Sequence, residues 1–168
     1  LATDTSRMED QYAIEFSNIL SLYQCNPNCF EGAIISSVVP PLTPILREAL
    51  KKLLRCPVFV IGPEVKTGLD IKIKQPSILG SDLICASVAA IHQLPMPCVI
   101  ADLGTATKIM ALDHNGAFLG CSIMPGVNIS LEALSSRTAQ LPQINLEAVT
   151  EVIGTTSIDS MKSGIVFG

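Results

Sequence analysis

The run Ala101-Asp102-Leu103-Gly104-Thr105-Ala106-Thr107 carries the residue types that nucleotide phosphates call for. It follows Cys98-Val99-Ile100, an apolar stretch behind the break at Met96-Pro97, and so lies at the end of an expected buried strand. A carboxylate there can hold the cation that travels with phosphates. Glycine lets the backbone approach a phosphate closely, and threonine offers a hydroxyl and an N–H to its oxygens. The run therefore proposes phosphoryl transfer. Asp-x-Gly-Thr also arises at ordinary turns, and on the run alone both readings stand.

A second carboxylate, Asp82, follows Gly80-Ser81 at the start of an apolar, helix-patterned stretch. Phosphoryl transfer needs a positioned acceptor hydroxyl, and a carboxylate at a helix start can orient that hydroxyl and accept its proton. The alternative is a plain helix cap. Thr138 ends a further helical segment, where a hydroxyl can bond back to its own backbone. Pro125-Gly126 reads as the turn that seats that helix, or as an ordinary loop turn.

These residues need elements to hold them. Apolar residues at 12, 13, 16, 19, 20 and 22 predict a helix over Glu9 to Leu22, with Thr5 and Ser6 as capping candidates. Asn26-Pro27-Asn28 marks a loop. Gly32 to Val39 reads as a buried strand ended by Pro40-Pro41, and Thr43 with Pro44 opens a helix to about Leu54. Val58 to Ile61 is a short strand closed by Gly62-Pro63, and the alternation from Leu69 to Lys74 predicts an exposed strand. A helix follows from Ser81 to His92, then the strand from Cys98 to Ala101. Lys108 to Asp113 and Ala117 to Ile123 flank His114-Asn115-Gly116, a hairpin signal. Helices are expected over Asn128 to Ala139 and from Ser157 onward. Alternating helices and strands with a hairpin make this a mixed α/β chain. It opens almost directly on a helix and stops within another, so the fold is expected to be incomplete at both ends.

Composition narrows the partners. The chain has 168 residues, of which 48% are hydrophobic and 15% charged, enough for a sizeable core. No apolar run reaches the ~18–20 residues of a membrane helix, and Leu1 to Arg7 holds no signal-peptide core. A net charge of -4 and the absence of tryptophan argue against nucleic acid. Cysteines stand at 25, 29, 56, 85, 98 and 121. Cys25 and Cys29 have no second pair at zinc spacing. Reduced thiols, most of them packed in the core of a cytoplasmic protein, are the expectation. His92 and His114 are isolated.

Further segments join the opening run. They are Leu1-Ala2-Thr3-Asp4 with Glu9-Asp10-Gln11-Tyr12, Ile35-Ser36-Ser37-Val38-Val39-Pro40-Pro41-Leu42, Pro76-Ser77-Ile78-Leu79-Gly80-Ser81-Asp82, and Gly120-Cys121-Ser122-Ile123-Met124-Pro125-Gly126 leading to Thr138-Ala139-Gln140-Leu141-Pro142. In this order the chain resembles the type III pantothenate kinases, also called the Bvg accessory factor family. The resemblance implies the acetate-and-sugar-kinase, Hsp70 and actin fold, with two ribonuclease-H-like lobes. Residues 1–100 would be the remainder of the first lobe and 101–168 the start of the second. It implies ATP-dependent phosphorylation of pantothenate to 4'-phosphopantothenate in coenzyme A biosynthesis, a divalent cation (Mg), a monovalent cation (K or ammonium), a homodimer and a cytoplasmic location.

Carried over residue by residue, Asp82 matches the family's catalytic base, Asp102 its monovalent-cation ligand and Thr105 its contact to the ATP phosphates, with Gly104 making that contact possible. Gly80, Ser81, Asp82 and Leu83 match the pantothenate-binding segment, and Thr138 a further pantothenate contact. Ile153-Gly154-Thr155-Thr156 resembles the turn before the helix that borders the nucleotide. The pattern breaks at four places. Leu83 replaces an arginine that would pair with the substrate carboxylate, Ile73 lies near a usual tyrosine, Lys108 replaces a threonine and Met110 an aspartate. Lys108 can pair with Asp102 and supplant a cation, or point to solvent. The family's first phosphate loop and its C-terminal glycine motif do not occur in the 168 residues, so this chain by itself is expected to be inactive. A non-catalytic or regulatory member with an altered pocket is the alternative reading.

Overall fold

The computed structural model describes residues 3–62 and 65–168, and the chain divides into two compact units, Leu1–Leu94 and Pro95–Gly168. Leu1, Ala2 and Pro63, each part of a motif above, lie outside the described residues.

In the first unit, α1 (Glu9–Leu22) forms where the apolar stripe predicted it. Its entry differs from expectation. Thr5 and Ser6 do not cap it, because the Asp4 carboxylate takes the Ser6 N–H at 2.9 Å and its hydroxyl at 2.6 Å. The helix starts instead at Met8, whose N–H donates to the Gln11 Oε1 at 2.9 Å. Strand β1 (Ala33–Ile35), helix α2 (Leu42–Leu53) and strand β2 (Val58–Val60) make a β-α-β unit, with Ala33 opposite Val58 and Ile35 opposite Val60 in parallel register. Strand β1 is shorter than the expected span of 32–39, since Ser36 and Ser37 turn their hydroxyls to other partners. Helix α2 begins at Leu42, which puts Pro44 in the first turn, where its missing N–H costs nothing.

One core cluster of this unit is Tyr12, Leu42 and Ala49, flanked by Phe16, Val39, Ile45 and Leu46. The buried Tyr12 hydroxyl donates to the Asp4 carbonyl at 2.8 Å and accepts its N–H at 3.2 Å, so the segment before α1 is tied down as well. Lys52 near the end of α2 reaches Glu9 (3.2 Å) and Asp10 (2.6 Å) in the first turn of α1. Those signs suit both helix dipoles. The strand expected over 69–74 is not formed. Ile71 alone makes a bridge there. Helix α3 (Ser81–Gln93) closes the unit.

The second unit is an antiparallel sheet of β3 (Cys98–Leu103), β4 (Ala106–Leu112) and β5 (Phe118–Pro125), in that order, followed by α4 (Val127–Arg137) and α5 (Ser157–Phe167). The β4–β5 hairpin follows the Asn-Gly signal. Gly116 has φ 77°, and Asp113 Oδ1 accepts the N–H groups of Asn115 (2.8 Å) and Ala117 (2.9 Å). Alternation along β4 sends Met110 and Leu112 to the interior. Phe118, Leu131 of α4 and Met161 of α5 are buried as well. Helix α4 packs on α5 and touches β4.

The expectation of core cysteines is corrected. All six are free, but Cys25, Cys29 and Cys121 are exposed and the other three only half-buried. Among the described residues no helix is long and apolar enough to cross a membrane.

Candidate functional site

The start of α3 is built by small side chains. Gly80 is its N-cap residue, and the Ile84 N–H returns to the Gly80 carbonyl at 3.2 Å. Ser81 is buried; its hydroxyl accepts from Ser36 at 3.1 Å and donates to the Ser37 carbonyl at 3.0 Å. These bonds pin the helix start to the chain leaving β1, across more than forty residues of sequence. Asp82, half-buried in the first turn, is therefore not the N-cap. Its Oδ1 accepts the Leu83 N–H at 2.9 Å, one of the helix's otherwise unpaired donors. Gly80 makes room for it, because a Cβ at position 80 would stand 2.5 Å from Asp82 Oδ1.

Beside this helix start opens a cavity of about 1120 Å³, formed wholly within the first unit. Its wall is largely apolar, with Gly80 and Ser81 on one side and the segment from Val65 to Ile71 on another. Ile84 lines it, whereas Leu83, only 6% exposed, does not. Ile73 is half-buried and outside the lining.

In the second unit the opening run spans the end of β3 and the turn into β4. Gly104 and Thr105 are exposed at the tip. Gly104 has no positive φ, and a Cβ there would meet only ordinary contacts, the nearest at 3.7 Å, so nothing within the fold demands glycine at 104. The tip is held from behind by Gly126, whose N–H donates to the Thr105 carbonyl at 3.0 Å. A Cβ on Gly126 would overlap the carbonyl oxygens of Gly104 and Thr105, so this glycine is required by close packing.

Asp102 lies directly opposite Lys108 in the β3–β4 register, and Lys108 Nζ is 2.7 Å from Asp102 Oδ2. The lysine side chain is only 17% exposed. Of the two orientations open to Lys108, the structure has the paired one. Met110, two residues on, stands opposite Ile100 and is fully buried, so its departure from the family pattern is a matter of core packing.

Thr138 ends α4, exposed, with its hydroxyl donating to the Leu134 carbonyl at 2.6 Å. That is the helix-terminal bond its position allowed. The Gly154-Thr155-Thr156 turn does precede a helix. Thr156 caps α5 by accepting the Asp159 N–H at 3.1 Å, and Gly154 packs against the Ser160 backbone. His92 and His114 are both exposed.

The description of the type III pantothenate kinase family matches residues 1–168, the whole chain. The chain belongs to this family. A type III pantothenate kinase from Listeria welshimeri is 36% identical over 168 residues, and one from Listeria monocytogenes 35%. In each case the match takes in all of this chain and 65% of the relative, so the chain spans just under two thirds of the length of these kinases. A crystal structure from Campylobacter jejuni, named for the Baf family of transcriptional activators, superposes on 90% of this chain and 63% of its own with a TM-score of 0.55 at 21% identity. At that identity it speaks to the mixed α/β fold alone.

The sequence does not show the cavity, and it leaves the Asp102–Lys108 pair as one of two orientations. The cavity beside Gly80 depends on a loop, 65–71, that the alternation rule assigned in part to a strand. The Val65-Lys66-Thr67-Gly68 stretch within it, with Gly68 at φ 77°, was the available turn signal. The Asp102–Lys108 pair follows from register, which a single sequence leaves open until the turn between the strands is placed.

Proposed function

We propose that the full-length protein phosphorylates pantothenate with ATP, giving 4'-phosphopantothenate and ADP at the entry to coenzyme A biosynthesis. The observation that carries this reading is the coincidence at α3. The large cavity of the first unit is lined by Gly80 and Ser81, and the next residue, Asp82, presents a carboxylate in the same helical turn. In this proposal Asp82 orients the acceptor hydroxyl and takes its proton as the oxygen attacks the γ-phosphorus. Gly80 and Ser81 shape the acceptor's seat. Gly104 and Thr105, exposed at the β3–β4 tip, are assigned to the ATP phosphates, and a glycine at 104 that nothing within the fold demands supports that role. Leu83 and Thr138 remain proposed pantothenate contacts from the family pattern only, and the burial of Leu83 limits it to shaping the wall from behind.

The cations fit less well. Among the described residues no group of three or more His, Cys, Asp or Glu side chains could hold a metal ion, so magnesium has no preformed protein cage there. At Asp102 an ammonium group already stands 2.7 Å from one carboxylate oxygen, and a potassium or ammonium ion placed alongside would meet its repulsion. No step of the proposed reaction is routed through either ion. The finer assignments belong to the same proposal: two ribonuclease-H-like lobes of the actin and Hsp70 type, a homodimer, and a cytoplasmic enzyme.

The alternative of a non-catalytic member drew on the changes at 73, 83 and 110. Two of these, Leu83 and Met110, are buried, while Asp82, the retained acid, keeps its place in the helix turn beside the cavity. That favours the enzyme. The test is pantothenate-dependent ADP release by the full-length protein and its Asp82→Asn variant. Loss of a general base lowers the rate by about 10²–10⁴. A variant that keeps wild-type turnover with an unchanged circular dichroism spectrum would remove Asp82 from this role.

A further inference from the structure

Two residues with charged side chains, Lys66 and Asp70, are among the described residues that line the cavity beside α3. Asp70 is already engaged, with Lys72 Nζ 2.7 Å from its Oδ2. Lys66 forms no ion pair with any other described residue. The rest of the wall is apolar or neutral, from Val38, Pro40, Ile61 and Leu79 to the hydroxyls of Ser37 and Thr67. A lone ammonium at the edge of an apolar chamber attracts an anion more strongly than one in open water, because the low-dielectric wall focuses its field. The size, near the upper end for small-molecule sites, leaves room for an elongated ligand.

We propose that this cavity seats a small carboxylic acid with Lys66 as its counter-charge. The inference rests on the proposed pantothenate reading and deepens it. Leu83, where the family's arginine would pair with the substrate carboxylate, is a buried hydrocarbon side chain and cannot do so. Lys66 supplies the missing positive charge from the opposite element, the loop rather than the helix. The acid's carboxylate is held at Lys66, and its apolar body lies along Ile71, Leu79 and Ile84.

The experiment compares pantothenate with its neutral primary amide. Equilibrium binding of both is measured by titration calorimetry on the full-length protein, on Lys66→Met and on Lys66→Arg, beside pantothenate-dependent ADP release. Lys66 is exposed, so both variants are expected to unfold at the wild-type temperature. Wild type is expected to bind the acid about 10- to 100-fold more tightly than the amide, the range of a charge-assisted contact. That ratio collapses towards one in Lys66→Met and is largely restored in Lys66→Arg. A ratio near one in wild type, a ratio unchanged in Lys66→Met, or binding of neither ligand overturns the seat. Selective binding of the acid without ADP release leaves the seat standing and overturns the kinase reading instead.

Discussion

Lys108 and Asp102 face each other across the β3–β4 ladder with Nζ and Oδ2 2.7 Å apart. The register makes them direct neighbours on one face of the sheet, the face that also carries the buried Met110 and Leu112. The lysine stem is largely covered while the Asp102 side chain is 41% exposed, so the pair joins a packed stem to a solvent-reaching carboxylate. A fixed ammonium thus occupies one side of the carboxylate that the family pattern assigns to a mobile cation.

This pair predicts an altered response to salts. Exchanging sodium for potassium or ammonium is expected to leave wild-type ATP turnover unchanged. In Lys108→Thr, turnover is expected to rise with potassium or ammonium, because Asp102 is then open to a cation. Because Asp102 is partly exposed, the pair's own share of stability is below about 1 kcal/mol. Steady-state assays at constant ionic strength check both halves, and potassium activation of the wild type would contradict the first.

Local signals made much of the fold readable. The stripe of α1, the proline in the first turn of α2 and the Asn-Gly hairpin each act within a few residues, and each element formed where expected. Long-range choices were hidden. Strand β1 stops at Ile35 because Ser36 and the Ser37 carbonyl bond to Ser81, some forty-five positions later. Leu69 to Lys74 has a strand's alternation but only an isolated bridge at Ile71. The identity of Asp82 as a first-turn residue could be read from the sequence. The cavity beside it could not, since it joins the β1 exit, the 65–71 loop and α3.

Gly80 holds the Asp82 carboxylate in place by its lack of a side chain. Its backbone, at φ -59° and ψ 142°, suits any residue, so Gly80→Ala carries no conformational strain. The new Cβ would crowd Asp82 Oδ1 and turn the carboxylate away. The expected result is a stability change within about 1 kcal/mol and a fall in kcat for pantothenate phosphorylation of about tenfold or more. Thermal unfolding and steady-state kinetics on the same variant separate the two effects. Unchanged kcat would show that the carboxylate's placement does not matter.

Gly126 supports the tip at Thr105 in a different way. Here the added methyl would strike backbone carbonyls, which cannot rotate aside like a side chain. Gly126→Ala is expected to cost about 1–3 kcal/mol as overpacking and to loosen the hydrogen bond to the Thr105 carbonyl. If Thr105 meets the ATP phosphates, KM for ATP rises while KM for pantothenate stays. A variant with wild-type stability would mean that the 104–105 tip can shift without loss.

The ion pairs between α1 and α2 set a pH window for the first unit. Glu9 is held below the ordinary carboxylate range, first by a backbone N–H and then by Lys52. Asp4 is lowered mainly by its hydrogen bonds from Ser6. Lys52 is raised above the ordinary lysine value, chiefly by Asp10. An acid whose pKa is lower in the folded state binds fewer protons there than when unfolded, so its stabilisation is full above the unfolded pKa of about 4 and fades as pH falls through the lowered value. The lysine has the opposite sign, with stabilisation full below about pH 10.4 and lost as pH rises further. The unfolding temperature is therefore expected to be level between these limits as far as these groups decide it, and to drop at both ends. Lys52 is exposed and Asp4 and Glu9 are partly so, so the drops are small and shrink in high salt. Lys52→Met is expected to abolish the alkaline drop and to weaken the acid one. Thermal unfolding followed across pH at low and high salt measures both, and an alkaline drop that survives in Lys52→Met would assign it to another group.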